Sequence, residues 1–367
     1  MLILNKTLRF QQGLTIVEML VAMAISLILL AGVAQIFLSN RDSFRLQEGM
    51  AYVQENGRFA IEFMTRDVRM VGFMGCRAET VVNNVDPSKG NDAAKLGLGD
   101  PGSGAFDGSN SLIGYRYGGG ALPADLVTYG LLAPAEPRTG RMVVPGTDVI
   151  VVKRADSCPG GDVISRDINN ARYAIRSNEF CNIQQNDIVM ITDCQNADVH
   201  GVTNVVGQTN IAHGANLNLT PMLSGGYGPG SMVMKMRAAI YYIGYGTSGE
   251  PALYRCVISG IDDTCANALS REELVEGVYG MDILYGVDTD GASAAGSLVP
   301  RRYVGADDVA VGEWDSVAAA RLTFRVRSRQ DNIVRDPQTY SYQAANVTDR
   351  RLRKDFSTTV AVRNRVQ

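Results

Sequence analysis

Gln12-Gly13-Leu14-Thr15-Ile16-Val17-Glu18 runs directly into Met19-Leu20-Val21-Ala22-Met23-Ala24-Ile25-Ser26-Leu27-Ile28-Leu29-Leu30, and this stretch decides the fold. From Leu14 to Leu38 the only charged side chain is Glu18, and the only other breaks in the apolar pattern are Thr15, Ser26, Gly32 and Gln35. As a helix the run measures roughly 37 Å at ~1.5 Å per residue, enough to span a bilayer. A carboxylate in such a place costs several kcal/mol if it reaches the bilayer interior, so its default reading is functional and calls for a named partner. Ahead of the run, Met1 to Gly13 carries Lys6 and Arg9 and no acid. That bias holds the leader in the cytoplasm and sends the rest outward. No small-residue cleavage site follows the apolar run, unlike a secretory signal whose core is discarded. The glycine junction lies before it, so cleavage there keeps the core in the mature chain.

The helical pattern continues past Leu38 and becomes amphipathic. Phe59, Phe63 and Val71, with Ala60, Met64 and Val68, recur at three- and four-residue steps. Asn40 to Val71 holds Gly49 and Gly57 but no proline, so one helix is expected from Thr15 to about Val71, stopped by Gly72 and Gly75. Gln35 gives no cause for a break in the apolar half, and Gly32 loosens it by ~1 kcal/mol at most. The second half is expected to bury a Phe59/Phe63 stripe against a globular domain.

Ala78 to Ala121 is rich in Gly, Asn, Asp and Ser and reads as a long loop. Short β-like runs follow at Val149–Val152 and Ile188–Ile191. Met232, Met234 and Met236 alternate with Val233, Lys235 and Arg237, the pattern of a strand with one dry face; Leu253 to Ile258 is its hairpin partner across a Gly244–Pro251 turn. Leu322, Phe324 and Val326 alternate with Arg321, Thr323, Arg325 and Arg327, and Val360 and Val362 with Ala361 and Arg363, as in half-buried antiparallel strands. The arginines are read as a solvated sheet face.

A formal net charge of −3 over 367 residues points neither to nucleic acid nor to an acid-seeking surface, and no nucleic-acid partner is expected. The six cysteines, Cys76, Cys158, Cys181, Cys194, Cys256 and Cys265, all lie beyond the apolar run, where an oxidising compartment permits disulfides. Their spacing suggests the short loops Cys256 with Cys265 and Cys181 with Cys194, leaving Cys76 with Cys158. A zinc site is disfavoured, because there is no CxxC and neither His200 nor His213 neighbours a cysteine pair. Asp288 and Asp290 with Gly291 make a weak calcium candidate; no acid closes the far end of an EF-hand loop, and a plain hairpin turn is preferred. No G-x-S-x-G, P-loop or H-E-x-x-H occurs, so neither an enzyme nor a cofactor is expected.

Gly13-Leu14-Thr15-Ile16-Val17-Glu18 before an apolar helix resembles the class III signal of type IV pilins and type II secretion pseudopilins. The resemblance implies that a prepilin peptidase cleaves after Gly13 and methylates the new amino terminus at Leu14, where the family usually has Phe. It also implies that Glu18 docks against the terminal amine of a neighbouring subunit. Opposite charges attract strongly in a low dielectric while either alone is costly. Leu274-Val275-Glu276-Gly277-Val278, Leu284-Tyr285-Gly286-Val287-Asp288, Trp314-Asp315-Ser316-Val317 and the ending Arg350 to Asn364 are similar to PilW-type minor pilins, which also resemble J-type pseudopilins.

The fold thereby implied is α+β, a long amino-terminal helix packed on an antiparallel β-sheet domain. Its parts are a leader at 1–13, a transmembrane or filament-core helix at 14–38, an amphipathic continuation at 39–75 and a β-rich periplasmic domain at 76–367. The implied function is that of a minor pilin priming type IV pilus assembly at or near the tip. It resides in the inner membrane and then in the pilus fibre, and its partners are the prepilin peptidase, other minor pilins, the major pilin and a tip adhesin. The alternatives are a J-type type II secretion pseudopilin and, from another class, an uncleaved single-span periplasmic binding module.

Overall fold

Thr15, in extended conformation, caps a single helix, α1, over Ile16–Arg69. The structure is a computed structural model of the chain and describes residues 15–76, 80–86, 111–135, 138–289, 298–310, 312–343 and 345–362. The helix holds because its 54 residues are largely good helix formers and include no proline. It ends at Met70, and Gly72 then takes a left-handed φ of 68° that a side chain would resist. The Gly72 N–H donates to Lys153 O at 3.0 Å, which turns the chain onto the sheet.

The two halves of α1 live in different surroundings. Every residue from Ile16 to Leu38 is exposed, and no part of the segment is buried in the domain. Further along, Gly49, Val53, Gly57, Ala60, Met64, Asp67 and Val68 are buried, a stripe at helical spacing. Ala60, Met64 and Val68 lie where the sequence pattern puts them, but Phe59 and Phe63 do not, being 42% and 38% exposed. The reason is close approach. Gly49 receives Ile333 and Gly57 receives the ring of Phe356, so the small residues set which side faces the sheets and the phenylalanines fall on the flank.

In chain order the strands are β1 (Thr80–Asn83), β2 (Leu112–Tyr117), β3 (Thr147–Asp167), β4 (Arg172–Ile175), β5 (Ile188–Thr192), β6 (Asn196–Gly201), β7 (Asn204–Val206), β8 (Asn210–Ala212), β9 (Met232–Tyr245), β10 (Pro251–Ile258), β11 (Arg271–Glu276), β12 (Val278–Val287), β13 (Arg302–Val304), β14 (Val317–Arg327), β15 (Gln338–Tyr342), β16 (Ala345–Asp349) and β17 (Arg353–Ala361). A short helix, α2, spans Ala124–Thr128. The large sheet runs β1-β6-β5-β9-β3-β4-β8-β7, with β10 and β11 attached to β9 and β2 to β3; the small sheet runs β13-β12-β14-β17; β15 and β16 pair with each other. All pairings between these strands are antiparallel except β1 with β6. The main core lies between α1 and the two sheets, where Val53, Ala60, Met64 and Val68 meet Tyr241 and Leu253 of the large sheet and Met281, Leu322 and Phe324 of the small one.

Several sequence expectations change. The presumed loop at 78–121 contains β1 and β2, because non-local pairing with β6 and β3 stabilises segments that look irregular alone; residues 87–110 lie outside the described residues. The β9 strand is dry on both faces, since Met234 and Met236 enter one core while Val233 enters another. Arg327 is no part of a solvated face. It is buried and paired with Glu250 at 2.7 Å, while its guanidinium lies 4.8 Å from the Tyr342 ring. The cysteines pair as Cys76–Cys194, Cys158–Cys181 and Cys256–Cys265, so the expected Cys181–Cys194 and Cys76–Cys158 bridges do not form. Cys194 follows β5, which stands near the end of α1, and space rather than sequence distance selects its partner.

Candidate functional site

The charge in the apolar run is satisfied by its own helix start. Glu18 Oε2 accepts from the Thr15 N–H and from Thr15 Oγ1, each at 2.9 Å, and Thr15 Oγ1 accepts from the Glu18 N–H at 3.2 Å. This reciprocal capping box satisfies main-chain donors that no helical carbonyl reaches. Its signal, Thr followed three residues later by Glu before an apolar run, is present in the sequence and was not given a role there. Leu14 and Gly13 lie outside the described residues, so the expected cleavage junction and methylation site have no structural description. The Thr15 contacts leave one Glu18 oxygen, Oε1, without a described partner at an exposed helix start.

At the other end, α1 is fastened to the domain through one buried acid. Asp67 sits within the apolar stripe; its Oδ1 lies 2.7 Å from Arg154 Nη1 on β3, and its Oδ2 accepts from Tyr241 OH on β9 at 2.5 Å. The Arg154 contact is an ion pair whose geometry falls short of an aligned hydrogen bond. Arg154 Nε also donates to Asp156 Oδ1 at 2.7 Å. Burial works against the Arg154 charge, but Asp67 and Asp156 outweigh it and its pKa is raised. Burial first, and then the Asp67 carboxylate, push the Tyr241 hydroxyl well up. Asp67 went unread in the sequence, although an acid between Met64 and Val68 on an apolar stripe is itself the signal.

The remaining contacts set the helix on both sheets. Tyr52 OH donates to Glu276 Oε2 at 3.3 Å and Asn56 Nδ2 to Glu276 O at 3.0 Å. The Cys76–Cys194 bridge ties the segment just beyond α1 to the β5–β6 turn. The result is a rod whose second half is locked to the domain by apolar packing, an ion pair and a covalent bond, while its first half projects free.

Of the weak calcium candidate, only Asp288 is described. Asp288 is buried and its Oδ2 accepts from the Val299 N–H at 3.0 Å, while Asp290 lies outside the described residues. Among the described residues no group of three His, Cys, Asp or Glu side chains is placed to hold a metal ion.

A family model described as type IV pilus-assembly protein W matches residues 240–364. The prokaryotic N-terminal methylation motif matches residues 8–34. No curated protein and no solved structure matches the chain. The first match covers the small sheet on which α1 rests, and the second covers much of the unburied half of α1 and the residues just before it. With the methylation motif heading a projecting apolar helix and the assembly-protein match spanning that sheet, the chain is similar to the PilW-type type IV pilins over these two segments.

Proposed function

We propose that this chain is a minor pilin-like structural subunit that takes part in type IV pilus assembly, priming the fibre at or near its tip. The observation that carries the reading is the helix segment from Ile16 to Leu38, apolar, continuous with a docked helix and buried nowhere in the domain. Exposed apolar surface of that extent demands a partner, first lipid and then the helices of other subunits. The methylation motif over residues 8–34 supports prepilin processing between Gly13 and Leu14, with methylation of the Leu14 amine. On this reading residues 1–13 are the cytoplasmic leader, 14–38 the membrane and filament-core helix, 39–75 its amphipathic continuation and 76–367 the periplasmic domain. The partners are the prepilin peptidase, other minor pilins, the major pilin and a tip adhesin.

The capping box gives Glu18 a two-stage role. Before assembly Thr15 satisfies it locally; on docking, a neighbour's terminal ammonium supplies the opposite charge at the free oxygen. Glu18→Ala is expected to be processed normally and to enter fibres poorly, and normal entry refutes the docking role. Amino-terminal sequencing of the protein from sheared fibres tests the whole reading: methyl-Leu14 as first residue is expected. A chain retaining Met1 and absent from fibres indicates the uncleaved single-span binding module instead. Recovery of the processed chain from a type II secretion complex, with pili unaffected by its deletion, indicates the pseudopilin reading.

A further inference from the structure

The small sheet ends in an edge with which no described strand pairs. β17 is the outermost strand beside β14, nine residues long and paired from Arg353 to Ala361 without a register shift. The bonds from Val362 N–H to Ala318 O and from Ser328 N–H to Leu352 O fix the phase of this ladder. Lys354, Phe356, Thr358 and Val360 therefore turn their main-chain groups toward β14, and Arg353, Asp355, Ser357, Thr359 and Ala361 turn theirs outward. The main-chain groups of these five make no bond to any other described element. Asp355, Ser357, Thr359 and Ala361 are exposed, and Phe356-Ser357-Thr358-Thr359-Val360-Ala361 contains no charge, glycine or proline.

Native sheets blunt such edges with short strands, bulges, charges or proline. Elsewhere this molecule does so. At the opposite edge of the same sheet β13 has three residues and follows Pro300, and in the large sheet β11 carries Glu272, Glu273 and Glu276 across a register shift in its pairing with β10. Among the described strands β17 is the longest left with one side unpaired; its charges, Arg353, Lys354 and Asp355, stand together at one end, and Phe356–Ala361 lacks all of these devices.

Resting on the pilus reading above, we propose that the free edge of β17 receives an extended strand from a different pilus protein. That strand bonds main chain to main chain along Arg353–Ala361 and brings a carboxylate against Lys354. Lys354 is exposed, its Nζ 5.5 Å from the Phe356 ring, and has no carboxylate partner among the described residues. A strand neutral along Phe356–Ala361 and acidic at the end beside Lys354 complements that edge, since opposite charges at strand neighbours stabilise pairing. A second copy does not fit. Antiparallel self-pairing sets a two-fold axis perpendicular to the sheet and reverses α1 in the partner, whereas two projecting apolar helices must enter the same bilayer or fibre in the same direction.

The test expresses the full-length chain, as wild type, Ser357→Pro and Lys354→Glu, in a strain lacking its own copy. Ser357→Pro removes an outward N–H together with the Ser357 hydroxyl's exposed contacts to Thr323 Oγ1 and Leu322 O, and Lys354→Glu reverses an exposed charge. Both variants are expected to keep the wild-type membrane level and melting temperature while their amount in sheared fibres falls about five- to tenfold, the scale of one or two lost bonds. Fibre levels of Lys354→Glu equal to wild type overturn the proposal, even if Ser357→Pro misfolds. Covalent homodimers of Thr359→Cys in fibres also overturn it by giving the edge to a second copy. Absence of the wild-type chain itself from fibres overturns instead the pilus reading on which the proposal rests.

Discussion

Gly57 of α1 sits on the ring of Phe356 of β17, so close that a β-carbon at position 57 would stand 2.3 Å from the ring's Cδ2 and Cε2. Alanine at an ordinary helix position would stabilise by ~1 kcal/mol relative to glycine. Here overpacking of about 1–3 kcal/mol opposes that gain. Gly57→Ala is therefore expected to lower stability by up to about 2 kcal/mol in urea unfolding. Adding Phe356→Leu should return part of the loss, and a stabilised Gly57→Ala would show that the ring yields freely.

Asp67 holds the helix to β3 and β9 through Arg154 and Tyr241. Removing one partner of a buried ion pair costs about 3–5 kcal/mol when the other is left uncompensated. Asp67→Ala strands the Tyr241 hydroxyl but leaves Arg154 with Asp156, so its cost by chemical denaturation is expected at or below the lower end of that range. The double replacement Asp67→Leu with Arg154→Met should be markedly milder, because an apolar pair of similar volume dispenses with both charges. Additive losses in this cycle would show that the two groups do not interact.

The two histidines make part of the domain acid-sensitive. His200 and His213 face each other with ring centroids 5.3 Å apart, among Tyr173, Asp198, Arg166 and Tyr227. Burial, and then the Arg166 charge, push His213 down to about 4; burial and His213 lower His200. Because the folded pKa lies below the unfolded value, the unfolded chain binds more protons between the two. This contribution is complete above about pH 6.5 and fades as pH falls toward 4, by on the order of 3 kcal/mol for His213. Asp148, pushed up to about 6 chiefly by burial, works the other way over part of that window. The difference between wild type and His213→Phe therefore isolates the effect. Stability curves that stay parallel from pH 7 to pH 4 would refute it.

The bridges should differ in worth. Cys76 and Cys194 close a loop with a sequence separation of 118, against 9 for Cys256 and Cys265. Loop-closure entropy assigns about 5 and about 2.5 kcal/mol respectively. Serine replacement of the first pair is expected to cost roughly 2 kcal/mol more than replacement of the second. Peptide mapping without reduction checks the connectivity itself, and a Cys181–Cys194 peptide would contradict it.

Some features of this protein are local, and the sequence alone carries them. An uninterrupted run of helix formers with one acid, then amphipathic spacing up to Gly72, specifies one long helix, because propensity and periodicity act over a few turns. Alternation at Leu322, Phe324 and Val326 specifies a half-buried strand in the same way, and the capping box at Thr15 and Glu18 was equally readable. The rest depends on neighbours distant in the chain. Which face of α1 meets the domain was settled by Ile333 and Phe356 reaching Gly49 and Gly57, against the evident pull of Phe59 and Phe63. Whether Arg327 meets water or Glu250, which cysteine meets Cys194, and which strand of the small sheet is left at its edge were likewise settled by packing. Periodicity states that a side is apolar or that a strand exists; only closure of the sheets, where steric fit and charge pairing are satisfied together, chooses its partner.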